Sequence, residues 1–412
     1  MKSSVHKSIP DFAFLLGLAG IIAVTWTGLG QTFNYISITL ILISIALIRI
    51  SGGQRLSFRG VHLLAWSCLV ATFVSSIFQW SNSNTVSYLM SKNLSGFPSV
   101  SSTDWLPDYF ILLKWILSLY ALPTFVLLVR QSSGIKYGRL LRWWTWSVLL
   151  SAIIALFQSV KIFPKFSFIN QTGMESGRFA GLSNHPNTQA ILICLSLPIV
   201  LILFRMNLIT KLQFAFVVGV FELAIFLTGS RNGIVCSLIL LILSIFRRYE
   251  SRYHSHLKFL SIFGACVGIV LVYVVGMLDV LFQGSRLRFN SISTDSDAST
   301  QGHLALMRYG FDIFVHYPVF GIGPSVLKTF HNIYLQIVGS FGLLGFLAFL
   351  SYIRSLFRIE FSRNLKFEYR LIVFTFLLFG MFNNNLADFY LYLPLGLCYA
   401  SYLDVANPQQ KL

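Results

Sequence analysis

The sequence predicts an all-α polytopic membrane protein with about twelve transmembrane helices, and three observations predict it. Hydrophobic residues make up 55% of the 412-residue chain and charged residues only 11%, with a mean hydropathy of +0.72. A water-soluble domain carries about a quarter charged residues. Apolar runs of about 20 residues, each long enough to cross a hydrocarbon core of about 30 Å, recur along the whole length. Lys and Arg gather in short gaps between these runs, which is where the positive-inside bias places them. Alternating apolar segments of about ten residues, the mark of a membrane barrel, are missing from the sequence.

Taken in order, the spans fall near 10–29, 33–50, 60–81, 109–130, 143–162, 186–204, 211–228, 232–246, 258–281, 332–353, 369–386 and 387–405. The first starts at Pro10 without a small-residue cleavage site, and the second follows almost at once. It therefore reads as a retained helix and not as a cleaved signal peptide. With Lys2 and Lys7 inside, the cytoplasmic gaps carry Arg55 and Arg59, then Lys136, Arg139 and Arg142, then Arg205 and Lys211. Further on come Arg247, Arg248, Arg252 and Lys258, and finally Arg354, Arg358, Arg363, Lys366 and Arg370. Both termini are expected in the cytoplasm. The net charge of +17 is thus a matter of topology, and no nucleic-acid partner is expected. Cys68, Cys194, Cys236, Cys266 and Cys398 all fall inside apolar runs, with neither metal-ligand spacing nor a loop pair. They read as small core hydrophobes.

The outer gaps differ in kind. Residues 81–108 are Ser/Asn-rich and nearly uncharged, whereas 163–185 and 282–330 are rich in turns and carry isolated arginines. No linker or internal repeat divides the chain. The expectation is one membrane domain over 1–412, with 282–330 as a large extracytoplasmic loop inserted in it. Inside that loop Leu304, Met307, Phe311 and Phe314 recur at helical spacing, opposite His303, Arg308 and Asp312. This is the pattern of an amphipathic helix on a membrane surface, ended by Pro318 and the Gly321/Gly323 turn. A lid over a bilayer-facing site fits it, and so does an ordinary packed loop helix.

Three outer features run against the charge bias. "SGRFAGLSNHPN" sets Arg178 between glycines, ahead of a span that begins with His185, Pro186 and Asn187. "LTGSRNG" turns one span into the next with Arg231 at its tip, and "GSRLRFN" places Arg286 and Arg288 just after the ninth span. One arginine near a bilayer can simply snorkel to headgroups. Several in Gly-flanked turns at headgroup depth suit a lipid diphosphate, because the planar guanidinium donates paired charge-assisted hydrogen bonds and stays charged. Against the start of the tenth span stand His331 and Asn332. His331 reads either as an interfacial side chain or as a base that takes the proton of a sugar hydroxyl, while the arginines stabilise the departing diphosphate. No Asp/Glu cluster in the outer gaps suits a divalent metal, so the chemistry is expected to need no metal and no cofactor.

These residues resemble the O-antigen ligase and polymerase superfamily. The ligase signature is His followed by Asn, Ser or Gln, nine further residues, then Gly and a second small residue three on; His331, Asn332, Gly342 and Gly345 fit it. "GRFAGLSNHPN" and "TGSRNG" look like two other signature turns, and "YPVFGIGPS" looks like the loop element before the histidine. The resemblance covers about residues 177–345. It implies a GT-C-like glycosyltransferase, inverting by direct displacement, in the bacterial inner membrane with its active site on the periplasmic side. The donor would be a glycan on undecaprenyl diphosphate. The acceptor would be a sugar of the lipid A–core in a ligase, or another lipid-linked repeat unit in a polymerase. Arg178 and Arg231 would hold the diphosphate and His331 would activate the acceptor. Asn332, Asn187, Arg286, Arg288, Arg308 and His303 are candidate supports. His303 stands where relatives often have Arg, which leaves open whether Arg308 substitutes for that contact. A transporter, the third class, would place its charges near the midplane on broken helices.

The remaining candidates are plainer. His185 reads as a helix-start contact and not as a second base. Glu222 and Lys114 lie within the seventh and fourth spans, where ionisable groups are costly; they either pair, line a wet pocket or take part in chemistry. A sugar-stacking role for Trp105 or Tyr334 stays open.

Overall fold

The structure is a computed structural model that describes residues 11–29, 31–50, 59–78, 88, 105–163, 177–246, 298–327, 330–359, 365–381, 383 and 386–400. Among them every regular element is helical. The α-helices are α1 (Asp11–Thr25), α2 (Gln31–Ile50), α3 (Arg59–Ile77), α4 (Trp105–Ser132), α5 (Gly134–Ser159) and α6 (Pro186–Arg205). There follow α7 (Lys211–Thr228), α8 (Arg231–Phe246), α9 (Ala298–His316), α10 (Ile333–Arg358), α11 (Lys366–Gly380) and α12 (Tyr392–Ala400). Among the described residues six stretches are long and apolar enough to cross a membrane: Gly60–Ile77, Tyr109–Gln131, Gly134–Ser159, Pro186–Arg205, Lys211–Thr228 and Ile333–Arg358. Asp11–Thr25, Tyr35–Ile50, Arg231–Ser244 and Phe389–Tyr399 are shorter apolar helices. The chain is a multi-pass membrane protein. The expected ninth span, 258–281, and Cys266 lie outside the described residues; the other four cysteines are buried, with no disulfide among them.

Helix α6 organises the bundle. Its sequence is apolar on every side up to Arg205, and a helix of that kind belongs in an interior; here 94% of it is buried, against α5, α7, α8 and α11. Two of its polar side chains accept hydrogen bonds from α5. Trp144 Nε1 donates to Ser196 Oγ at 2.9 Å, and Ser151 Oγ donates to Gln189 Oε1 at 2.7 Å. At its far end Arg205 Nε meets Glu368 Oε1 of α11 at 2.9 Å, with the glutamate fully buried. Around this axis α1 packs on α2 and α5, α3 runs along α10, and α12 lies against α4.

Two expectations about the spans need correction. The fourth and fifth are joined by Ser133 alone, which caps α5 through its side chain by accepting from Lys136 N. Lys136, Arg139 and Arg142 therefore stand on the first turns of α5, and Lys136 reaches Asp11 at 2.8 Å. Helix formers such as Lys and Arg extend a helix past the hydrocarbon boundary at little cost, which hydropathy cannot register. The last two spans meet differently as well. Helix α11 stops at Gly380, and α12 begins only at Tyr392 after a short 3₁₀ turn, Phe389–Leu391. In this stretch Asp388 Oδ1 pairs with Lys114 Nζ at 3.1 Å, and Tyr392 Oη takes the Trp115 indole proton while donating to Leu386 O at 2.6 Å. The partner of Lys114 is thus Asp388 and not Glu222, which sits beside Ser237 of α8.

The Arg205–Glu368 pair yields a test. Removing one partner of a buried pair strands the other charge, at a cost of about 3–5 kcal/mol, whereas an apolar replacement of both is often neutral. Arg205→Leu and Glu368→Leu should each lower the thermal midpoint of the detergent-solubilised protein, and the double variant should recover most of the loss. Three equal midpoints would show that the pair does not lock α6 to α11.

Candidate functional site

Arg178 is 5% exposed. Its Nε donates to Thr228 O at 2.8 Å, the carbonyl at the end of α7, and its Nη2 donates to Asn187 Oδ1 at 2.8 Å in the first turn of α6. These two bonds fix the plane of the guanidinium. The backbone beside it is tied down too, with Phe179 N on Leu227 O at 3.1 Å. Helix α7 closes on Gly229 in the left-handed conformation (φ 57°, ψ 24°), and α8 starts two residues later at Arg231. "GRFAGLSNHPN" and "TGSRNG" are therefore one interlocked structure: the first supplies the arginine and the second the carbonyl that aims it. His185 caps α6, its Nδ1 accepting from Asn187 N at 3.1 Å, as a helix-start contact should. Gly28 N bonds Leu182 O at 2.9 Å, and Thr27 Oγ1 donates to Asn184 Oδ1 at 3.0 Å, so the end of α1 also holds this turn.

The histidine motif is built on a broken helix. Within α10, Gly342 has φ 59° and ψ −157°, a conformation essentially closed to other residues. In an unbroken helix Leu343 N would donate to Gly339 O and Leu344 N to Ser340 O. Instead Leu343 N donates to Pro318 O at 2.7 Å and Leu344 N to Val319 O at 3.1 Å. The two carbonyls so released accept from Ile322 N and Gly323 N, both at 2.9 Å. Two intrahelical bonds are exchanged for four bonds to "YPVFGIGPS". A Cβ on Gly342 would lie 2.4 Å from Val319 C and O, and one on Gly321 would lie 2.5 Å from Gly339 O. The spacing from His331 to Gly342 and Gly345 thus records the distance from the start of α10 to its break.

His331 stands half-buried immediately before α10. Asn332 caps the helix, its Oδ1 accepting from Tyr334 N and Leu335 N, and its Nδ2 donates to Met381 O at 3.0 Å. Tyr334 Oη donates to Leu377 O of α11 at 2.8 Å. On the other side Phe330 is fully buried against Tyr309 of α9, with ring centroids 5.7 Å apart. Burial pushes the Tyr309 phenol well above its ordinary pKa.

The two clusters share one end of the bundle. Arg205, at the end of α6, pairs with Glu368, at the start of α11, so these helices run in opposite directions. The start of α6, with Asn187 and Arg178, then lies at the same end as Met381, which receives Asn332. Of the other candidates, Arg308 is on the exposed side of α9 and His303 on its first turns, while Arg286 and Arg288 lie outside the described residues. Tyr334 spends its hydroxyl on Leu377 O, which makes it a helix-packing contact. Sequence reading missed Thr228 O, Met381 O and the Lys114–Asp388 pair. Only Asp388 had left a signal, as an acid in an otherwise uncharged polar gap.

Residues 214–350 match the model of the O-antigen ligase family, about a third of the chain. The match runs from α7 through α8 and α9 into α10, and so takes in Arg231, His331, Asn332 and the break at Gly342. Arg178 and Asn187 precede it. A comparison with curated proteins returns no match.

The break gives a second test. Gly342→Ala should cost at least about 3 kcal/mol, since left-handed strain and a backbone clash add. It should lower the thermal midpoint well below that of Gly219→Ala in α7, where a Cβ meets nothing within 4 Å. Equal midpoints for the two variants would mean that the stitched geometry does not hold.

Proposed function

We propose that this chain, with its O-antigen ligase domain over residues 214–350, transfers a glycan from undecaprenyl diphosphate to a sugar hydroxyl of the lipid A–core, on the periplasmic face of the bacterial inner membrane. The observation that supports the reading is the buried Arg178 guanidinium, held by Thr228 O and Asn187 Oδ1.

In this reading Arg178 and Arg231, on the two sides of the Gly229 turn, hold the donor diphosphate. His331 takes the proton of the acceptor hydroxyl as its oxygen attacks the anomeric carbon. The bond from that carbon to the diphosphate oxygen breaks, and the arginines receive the charge that develops there. Attack opposite the leaving group inverts the anomeric centre. The protein's share is placement. Asn332 fixes where His331 leaves α10, Asn187 fixes the plane of Arg178, and neither needs to touch substrate. No step calls for a metal, because two guanidinium groups supply the positive charge that a divalent ion would otherwise bring. A transporter reading draws on broken helices whose bare backbone lines a cavity. In α10 the four groups at the break are instead taken up by residues 318–323.

The test is transfer by purified, reconstituted protein in EDTA, with undecaprenyl-diphosphate-linked glycan as donor and lipid A–core as acceptor. His331→Ala should lower turnover by about 10²–10⁴-fold. Arg178→Lys keeps the charge but loses the planar fork, and should lower it by about 10²-fold or more. Product on lipid A–core that persists in His331→Ala would remove the histidine from the chemistry. Lengthening of the donor glycan without lipid A–core would move the activity to a polymerase.

A further inference from the structure

Helix α9 is amphipathic in a way the sequence pattern did not resolve. The face turned to the protein is Tyr309 and Ile313, both buried in a small cluster with Ile322, Val326 and Phe330. Two residues of the expected apolar face, Leu304 and Phe311, point away and are 50% and 60% exposed; Val315 and Val319 continue that stripe at 57% and 52%. An exposed stripe of this kind is not sustained in water without a partner.

Its partner is indicated by what it joins. Helix α10 carries a stripe of its own, Leu343, Leu347 and Leu350, each between 44% and 56% exposed. That stripe lies on a membrane-spanning helix, where an outward apolar face meets hydrocarbon. The two stripes meet at the break, where Leu343 N and Leu344 N bond Pro318 O and Val319 O. The apolar surface is therefore continuous from the spanning helix onto α9. Within it stands Arg308, exposed, one turn from both Leu304 and Phe311, and in no ion pair among the described residues. The other charged and titratable groups along α9 are His303, the buried Tyr309, Asp312, which is half-buried, and His316, whose Nδ1 is bound to Asp312 O at 2.8 Å.

We propose that α9 lies in the bilayer interface, with Leu304, Phe311, Val315 and Val319 in the hydrocarbon of the adjoining leaflet and Arg308 holding the phosphate of an anionic bilayer lipid. An arginine can lay its stem along an apolar surface while its head reaches the headgroup layer, and its fork matches phosphate oxygens. The site is separate from the donor diphosphate, and the inference stands whether or not the transfer reading does. Because Phe330 packs on α9, a lipid-seated α9 also fixes the backbone from which His331 departs.

The experiment uses the full chain in nanodiscs of phosphatidylcholine with brominated acyl chains. A fluorescent amino acid replaces Phe311, Val315 or, as the transmembrane reference, Leu347. Quenching at 311 and 315 comparable to that at 347 is expected. A second arm measures retention of phosphatidylglycerol through detergent exchange, where Arg308→Gln should lose about fivefold relative to the parent protein, the worth of one basic residue at an anionic surface. Fluorescence at 311 that bromine leaves untouched while 347 is quenched would overturn the interfacial placement. So would close contact of two labelled chains through position 311, which would make the stripe an interface between copies. Equal lipid retention in parent and Arg308→Gln would overturn the lipid-phosphate site.

Discussion

The four hydrogen bonds across the break at Gly342 are the interaction on which the rest of this end of the molecule depends. A spanning helix cannot be interrupted in hydrocarbon unless every released backbone group finds a partner. Here the partners come from residues 318–323, so the interruption and the loop require each other. Seating that loop places the Pro324–Val326 turn against α4 and brings α9 down onto Phe330. The residue after Phe330 is His331. Its position is thus set from below by the broken helix, from one side by α9 and from the other by the Asn332 bond to α11.

The arginine cluster follows the same economy with different parts. A main-chain carbonyl and an amide oxygen orient Arg178. Arg205 at the other end of α6 meets a carboxylate, Glu368 Oε1 at 2.9 Å. The two arginines thus take different kinds of partner at opposite ends of α6.

Much of this was legible in the sequence, and what was not has physical reasons. Apolar runs of membrane length gave the helices from α1 to α8, and His331, Asn332 and the two turns with Arg178 and Arg231 stood out by type and spacing. Boundaries failed where polar residues remain helical, as on α5 from Gly134, and where apolar residues are not, as at Phe389–Leu391. The glycines of the motif were visible, yet the reason for them was not. A period of 3.6 residues cannot announce that two of its own hydrogen bonds are made elsewhere. On α9 the outward side with Leu304 and Phe311 was legible, and the inward side with Tyr309 and Ile313 was not. Composition shows that a helix has an apolar side, but it does not show whether lipid or protein covers it, and Tyr309 lost to Phe311 on hydropathy while winning the interior.

Helix α6 carries a consequence for how the molecule is made. Its burial needs α7, α8 and α11, all of which follow it in the chain, so on emerging it has only earlier helices to lean on. The Trp144–Ser196 and Ser151–Gln189 bonds already tie it to α5 at that stage. Insertion can thus proceed as an α5–α6 hairpin tied by hydrogen bonds before it is enclosed. The Arg205–Glu368 bond, which needs α11, is necessarily the late step that turns the growing set of hairpins into a finished bundle.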